Sequence, residues 1–265
     1  MKKTGLLLVM ICSIIISSTA CVNANFGKAI KGNGIKKEQD RGKMEFTAID
    51  TRGSIDVIIS NLTDAPVIVS GDENLIEHVE TYVKNGVLNV HLKDKAFSSY
   101  SSRIGLKVTV PNNGKINSIK ASGSSDVITE GIINADYISI KCSGSSDFKG
   151  SVKAEKCEID CGGSSDFKGS VEATTCIVKC TGSSDCIISG KADVCEISMT
   201  GSSDFKGYDF TVNKLTCSST GSSDIKITCN EELSARASGS SDISYRGSAK
   251  VVSMHTSGSS DIKNK

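Results

Sequence analysis

Apolar and polar residues alternate along most of the second half of the chain, in short segments rich in residues that favour strands. Alternation with a period of two predicts strands with one buried and one solvated face. The pattern is anchored on a recurring Gly-Ser-Ser-Asp tetrapeptide. The residues six, four and two positions before its Gly, and four after it, are mostly apolar. We expect these even positions to face inward and the odd positions to face solvent.

The tetrapeptide is the strongest feature of the sequence, because it occurs eight times at a nearly constant spacing. A period of about 19 residues is too short for two helices, whereas equivalent residues stacked coil on coil give a parallel β-solenoid. The sequence therefore predicts an all-β solenoid with about 19 residues per coil. A degenerate earlier copy stands at residues 53–56. The motif residues are Gly123, Asp126, Gly144, Asp147, Gly163, Asp166, Gly182, Asp185, Gly201, Asp204, Gly221, Asp224, Gly239, Asp242, Gly258 and Asp261.

Each motif Gly is expected to turn a corner of the coil, because Gly tolerates backbone conformations that other residues avoid. Ser and Asp are then expected to line the outside.

Asp side chains stacked about 4.8 Å apart repel one another by about 1 kcal/mol per pair. Calcium could offset this repulsion, but one Asp per coil is a poor calcium site. We favour a Lys column two residues on and Ser hydroxyls, and we expect a calcium-independent fold with no metal site. The column comprises Lys149, Lys168, Lys206, Lys226 and Lys263.

Nine Cys follow residue 21, and all but Cys229 fall in the inward columns. We expect mostly reduced, buried thiols that act as small apolar fillers. The Cys157-x3-Cys161 spacing lacks a CxxC pair or a nearby His that would complete a metal site.

The three His are scattered, and the Ser residues are too repetitive to mark one nucleophile. No catalytic residue and no cofactor is predicted.

Residues 1–20 have the features of a lipoprotein signal peptide: two Lys, a short apolar run and small residues before Cys21. We expect lipidation at Cys21; the alternative is an ordinary secretory signal cleaved nearby. Val22, rather than Asp, is typical of passage to the outer membrane. The membrane face stays open. A net charge of +1 gives no reason to expect nucleic-acid binding.

The mature chain is predicted to contain three segments. Residues 21–43 are expected to be a tether, and residues 44–122 the irregular first coils and N-terminal cap. Within that cap, Asn85-Gly86 predicts a hairpin turn. Residues 123–265 are expected to form the regular solenoid, continuous with 44–122 as one domain.

The chain resembles the auto-transporter adhesins of the head GIN domain type. The matching stretches are residues 30–59, 67–90 and 106–127, followed by the SGSSD repeats. The resemblance implies a single-stranded right-handed parallel β-helix, lipid-anchored or exported in Gram-negative bacteria. No catalytic residues come with it.

The leading functional hypothesis is a non-enzymatic cell-envelope lipoprotein that presents Ser, Thr, Asp and Lys ladders for adhesion. Its partners would be the membrane, through the lipid anchor, and an extended ligand such as a glycan or an extracellular matrix protein. One alternative is an envelope scaffold without a soluble ligand. The other is a β-helix enzyme acting on polysaccharides, which the short turns and evenly repeated acids disfavour.

Overall fold

The computed structural model describes residues 29–93 and 100–265, which fold almost entirely as strands with one short helix, Glu73–Ile76. The predicted signal peptide and Cys21 lie outside the described residues. The front strands are Ile30–Lys31, Lys36–Asp40, Ala48–Gly53, Ile55–Ser60, Ile68–Asp72, Val79–Lys84, Val87–Leu92, Tyr100–Ser101, Leu106–Pro111 and Ser118–Gly123. The repeat strands are Val127–Gly144, Phe148–Gly163, Phe167–Gly182, Asp185–Gly201, Asp204–Gly221, Ile225–Gly239, Asp242–Arg246, Lys250–Gly258 and Asp261–Asn264. No helix in the described part of the chain is long and apolar enough to cross a membrane.

Successive repeats pair in parallel, so that each repeat forms one coil of a β-solenoid. Phe148–Gly163 runs alongside Phe167–Gly182, and equivalent residues stand opposite each other from the Phe to the Gly. The ladder skips one residue per coil, at Glu155 and Thr174. The predicted solenoid, in which one repeat makes one coil, is confirmed.

Repeats of unequal length differ between the motifs and not at them. The longest repeat, which runs from Gly123 to Gly144, produces a register shift between Ile128 and Ile132. Each motif Gly still pairs with the motif Gly of the next coil, as Gly239 does with Gly258. The corner is therefore the element that every coil shares, and differences in length are accommodated between the corners.

The inward columns form one continuous apolar core, as the alternation predicts. Phe148 and Phe167 are fully buried, and their rings stack with centroids 5.1 Å apart. The prediction was wrong in the last coil, where Val252 is 61% and Met254 38% exposed. A register shift after Leu233 moves Val252 out of its column, and no described coil covers this end.

Antiparallel strands close the front end. Lys36–Asp40 pairs with Ile68–Asp72, which in turn pairs with Leu106–Pro111. Residues 36–40 lie in the predicted tether, so this part of the segment is a strand. All five of its residues are polar and exposed, and alternation could not reveal it. The predicted hairpin turns at Asn85 and Gly86, with φ values of 52° and 76° that suit a type I′ turn.

Asp72 ties the front segments together through its buried carboxylate. Its oxygens accept hydrogen bonds from the backbone N–H groups of Gly34 and Arg103, at 2.6 and 3.0 Å, and from the Ser102 hydroxyl. The Ser102 hydroxyl, followed by these backbone donors, holds the pKa of Asp72 below its usual value. The ionised carboxylate therefore stabilises this end of the fold.

Candidate interaction surface

The motif Gly residues turn the corner at φ between 77° and 99°, a conformation that costs other residues free energy. Space is restricted as well. A Cβ added at Gly163 would stand 2.8 Å from the Gly144 carbonyl oxygen of the preceding coil. That same oxygen accepts a hydrogen bond of 2.8 Å from the backbone N–H of Ser164. The Gly corner thus combines a left-handed backbone with direct backbone stacking between coils.

The two Ser residues of the motif have different environments. The first is exposed, as in Ser164. The second is fully buried in seven of the eight copies: the Ser165 hydroxyl lies 2.9 Å from the Gly162 carbonyl oxygen and 3.0 Å from that of Cys142. The expectation that Ser lines the outside was therefore wrong for the second Ser. It occupies an even position, and backbone carbonyls satisfy its hydroxyl where the chain bends.

The motif Asp residues form an unbroken ladder from Asp56 to Asp261. In each step a carboxylate oxygen accepts a hydrogen bond from the backbone N–H of the next Asp, at 2.9 to 3.3 Å. Hydrogen bonds to charged acceptors are among the stronger ones. Backbone amides therefore offset much of the repulsion that the sequence predicts. This contribution was missed because it depends on how the corners stack.

Lysines of the predicted column supplement this ladder in part. The Lys149 ammonium lies 3.0 Å from Asp126 and 3.2 Å from Asp147, so it bridges two coils. Lys206 bridges Asp185 and Asp204 in the same way, at 2.6 and 3.5 Å. The hydrogen bond to Asp126 raises the pKa of Lys149. The continuous Asp column and the interrupted Lys column together form a charged stripe along one edge of the solenoid.

The nine described Cys are buried free thiols. The sulfur atoms of Cys161, Cys180 and Cys186 all lie within 4.8 Å of one another. The sequence spacing does not predict that these three sulfurs lie close together, because Cys186 belongs to a different inward column from the other two. Their meeting is a consequence of the corner, which turns the two columns toward each other.

A long shallow groove runs parallel to the solenoid axis on the side away from the motif corners; we call it the Ala groove. Its floor is a column of Ala at ladder-paired positions. Two contiguous hollows of about 600 and 550 Å³ make up the groove, and they share Lys153, Ala154 and Thr174. The floor residues are Ala135, Ala154, Ala173 and Ala192. In the next coil Val212 takes the place of Ala and the floor column ends.

The groove walls are polar and of mixed charge. One wall contains Lys153 and Glu172, whose charged groups lie 3.5 Å apart. On the other, the Asn213 amide donates a 3.3 Å hydrogen bond to Asp193. The full walls comprise Asn134, Lys153, Glu172, Lys191 and Thr211 on one side, and Asp136, Glu155, Thr174, Asp193 and Asn213 on the other. Five coils at about 4.8 Å give walls about 19 Å long.

Sequence reasoning missed the Ala groove although its signal is present in the chain. Ala recurs once per repeat, at a constant interval, from Ala135 to Ala192. Large apolar residues identify core positions, and Ala, which occurs both in cores and at surfaces, does not by itself indicate a groove. A small residue repeated at the surface is equally informative, since it leaves a channel where larger neighbours form walls.

A family model described as "Putative auto-transporter adhesin, head GIN domain" matches residues 45–170 and 148–249. The chain belongs to this family. The resemblance drawn from the SGSSD repeats and the front stretches is confirmed. Among curated proteins none matches this head GIN domain chain.

Solved structures share the fold of this head GIN domain chain. One is described as a "putative adhesin" from Parabacteroides merdae ATCC 43184, with a TM-score of 0.82 and 20% identity, covering 89% of this chain and 99% of that one. Another, described as a "putative lipid binding protein" from Parabacteroides distasonis ATCC 8503, has a TM-score of 0.79 and 22% identity, covering 89% and 100%. At these identities the likeness establishes the fold.

Proposed function

We propose that this protein is a non-enzymatic adhesin of the cell envelope that binds an extended, hydroxyl-rich polymer such as a glycan along the Ala groove. The groove itself carries the proposal. Its walls span five coils, its Ala floor spans four of them, and both repeat with the coil spacing. A linear polymer with repeating units matches such a site better than a compact small molecule does.

The chemistry of the walls favours a neutral polymer over a highly charged one. Lys153 and Lys191 alternate with Glu172 along one wall, while Asp136, Glu155 and Asp193 contribute negative charge on the other. A polyanion would meet the carboxylates, and a polycation the lysines. Amides and hydroxyls both donate and accept hydrogen bonds, carboxylates accept them and lysine ammonium groups donate them, so the walls match both roles of a sugar hydroxyl. Weak contacts repeated over several coils can sum to useful avidity.

The location proposed for this activity is the outer membrane, with the lipid anchor on Cys21. Membership of an adhesin family supports an envelope location, and the sequence of residues 1–21 supports export and acylation. Protease treatment of intact cells tests which face is exposed. Digestion of the repeat in intact cells supports adhesion, whereas protection until the outer membrane is broken supports the scaffold alternative.

The binding experiment compares the chain from residue 22 onward with two charge-matched variants on a glycan and matrix-protein screen. The groove variant carries Lys153→Ala, Glu172→Ala and Asp193→Ala. We expect it to lose at least about tenfold in affinity for the polymer, the equivalent of about 1.4 kcal/mol. Surface changes of this kind leave folding largely unaffected.

The control variant, Lys141→Ala, Glu158→Ala and Asp160→Ala, removes the same charges around a separate small hollow of about 140 Å³. It should bind like the parent chain. Equal losses in both variants would place binding outside the Ala groove. Absence of binding to every polymer tested would favour the scaffold alternative, and cleavage of a bound polysaccharide would revive the enzymatic one.

A further inference from the structure

The corner at Gly182 brings two cysteines unusually close together. The Cys180 and Cys186 sulfur atoms are 2.6 Å apart, and both residues are fully buried. Non-bonded heavy atoms of the size of carbon are best separated by about 3.5–4.0 Å, and a disulfide bond is about 2.05 Å. The separation of these two sulfurs is therefore closer to a bond than to an ordinary contact.

This pairing is specific to one coil. At the Gly182 corner the residue two positions before the Gly meets the residue four positions after it. The coil before has Cys161 and Phe167 at these positions, and the coil after has Met199 and Phe205. Across the eight copies only the Gly182 corner has Cys at both. The smaller Cys186 stands in a column whose neighbours are fully buried Phe.

We propose that Cys180 and Cys186 form a disulfide across the Gly182 corner when the chain folds in the presence of an external disulfide, with Cys161 as the competing thiol. The bond would fasten the two sides of a single coil within one short segment. The other corners rely on backbone stacking and buried Ser hydroxyls.

The reaction is a thiol–disulfide exchange with a small-molecule or protein disulfide. The Cys180 thiolate attacks one sulfur of the external disulfide, forming a mixed disulfide and expelling one thiolate. The Cys186 thiolate then attacks the Cys180 sulfur, closing the new bond and expelling the second thiolate. The two protons lost by the cysteines go to the two expelled thiolates. The pair is oxidised by two electrons, and the external disulfide is reduced to two thiols.

The surroundings favour Cys180 as the first nucleophile. Hydrogen bonds from the Cys161 and then the Cys186 thiol lower the pKa of Cys180. Burial, together with thiol contacts, raises the pKa of Cys186. Since the sulfurs are buried in the finished core, the exchange belongs to folding, at the stage when the preceding coil with Cys161 has stacked and the following coil has not. Cys161 lies within reach of both sulfurs, so it competes at that stage.

Peptide mapping tests the proposal directly. Trypsin cleaves after Lys179 and Lys191, so one peptide carries both cysteines and no others. The full chain is refolded with oxidised glutathione, denatured, alkylated with an excess of N-ethylmaleimide at near-neutral pH, where thiolate is present, and digested. We expect this peptide to be unalkylated and lighter by two hydrogens than its reduced form, while the peptides carrying the other buried cysteines are alkylated. Prior reduction should restore both alkylation sites.

Two variants separate the bond from general oxidation. Cys186→Phe restores the residue found in the coils on either side, so it should fold and leave Cys180 alkylated or joined to Cys161. Cys157→Ser, in another inward column, should leave the Cys180–Cys186 bond unchanged. Full alkylation of the peptide from the oxidised parent chain would overturn the proposal. So would a bond to the Cys161 peptide in the parent chain, or a stoichiometric metal ion that must be chelated before the thiols react.

Discussion

The two ends of the solenoid are built differently. At the front, antiparallel strands and the short helix cover the core, and Val69 and Leu75 beneath them are fully buried. At the other end the last coil pairs only with the coil before it, and Val252 and Met254 remain exposed. The same apolar core reaches both ends of the solenoid. Among the described residues, only the front end has a dedicated cap over it.

The difference shows how a repeat protein distributes its stability. Each interior coil has a neighbour on both sides, and the terminal coil has one. The front cap depends on contacts that occur once, such as those of Asp72. The last described coil repeats the ordinary corner and carries Lys263 and Lys265, whose charge discourages edge-to-edge pairing. Equivalent substitutions should therefore have unequal effects along the stack.

The largest expected difference in stability loss is between two residues of the inward column that comes directly after the motif Asp. Ile225→Ala removes a fully buried side chain between two coils and should lower the free energy of unfolding by about 2–5 kcal/mol. Ile262→Ala makes the same change in the last coil, where one side lacks a neighbour, and should cost about 1 kcal/mol. Urea unfolding followed by circular dichroism measures both. Equal losses would show that the last coil is as well supported as the interior.

The corner glycines provide the next contrast. Gly163→Ala places a Cβ 2.8 Å from a carbonyl oxygen in a left-handed backbone and should cost about 2–3 kcal/mol. Gly162→Ala is the matched control: its φ is not positive, and its Cβ meets only the Thr181 hydroxyl at 3.4 Å. That change should be neutral or stabilising by up to about 1 kcal/mol, because it reduces the entropy of the unfolded chain. Thermal unfolding of both variants distinguishes corner strain from the loss of any Gly.

The front end should lose stability in acid through the protonation of Asp72. The folded-state pKa of Asp72 lies below its unfolded value of about 3.9, so its contribution is fully present above that value and is lost as pH falls through the folded pKa. We expect Asp72→Asn to be less stable than the parent at pH 7 and to lose less stability between about pH 5 and pH 2. The urea concentration at the midpoint of unfolding, measured for both chains across this pH range, checks the prediction. Parallel pH profiles for the two chains would assign the acid loss to other carboxylates.

The predictable part of the fold is the part that repeats. A period of two fixes the buried columns and the longer period of the motif stacks them, because both are local properties of the chain. Lys36–Asp40 escaped prediction, since a wholly polar edge strand has no alternation. The Asp ladder and the proximity of Cys180 to Cys186 depend on backbone geometry at the corner. The sequence signal of the Ala groove is a small residue that recurs once per coil, and it lies outside the columns of large buried residues that define the core.

The smallest expected effect is that of calcium on the Asp ladder. A calcium ion takes six to eight oxygen ligands, but the carboxylates here are already engaged. In Asp126 and Asp185 one oxygen accepts a hydrogen bond from the next backbone N–H and the other contacts a Lys ammonium, Lys149 or Lys206. Bound calcium would have to displace both partners. We therefore expect millimolar calcium to leave the melting temperature unchanged, and a chelator to have no effect. A rise in melting temperature with calcium, reversed by the chelator, would show that the ladder binds the ion despite these contacts.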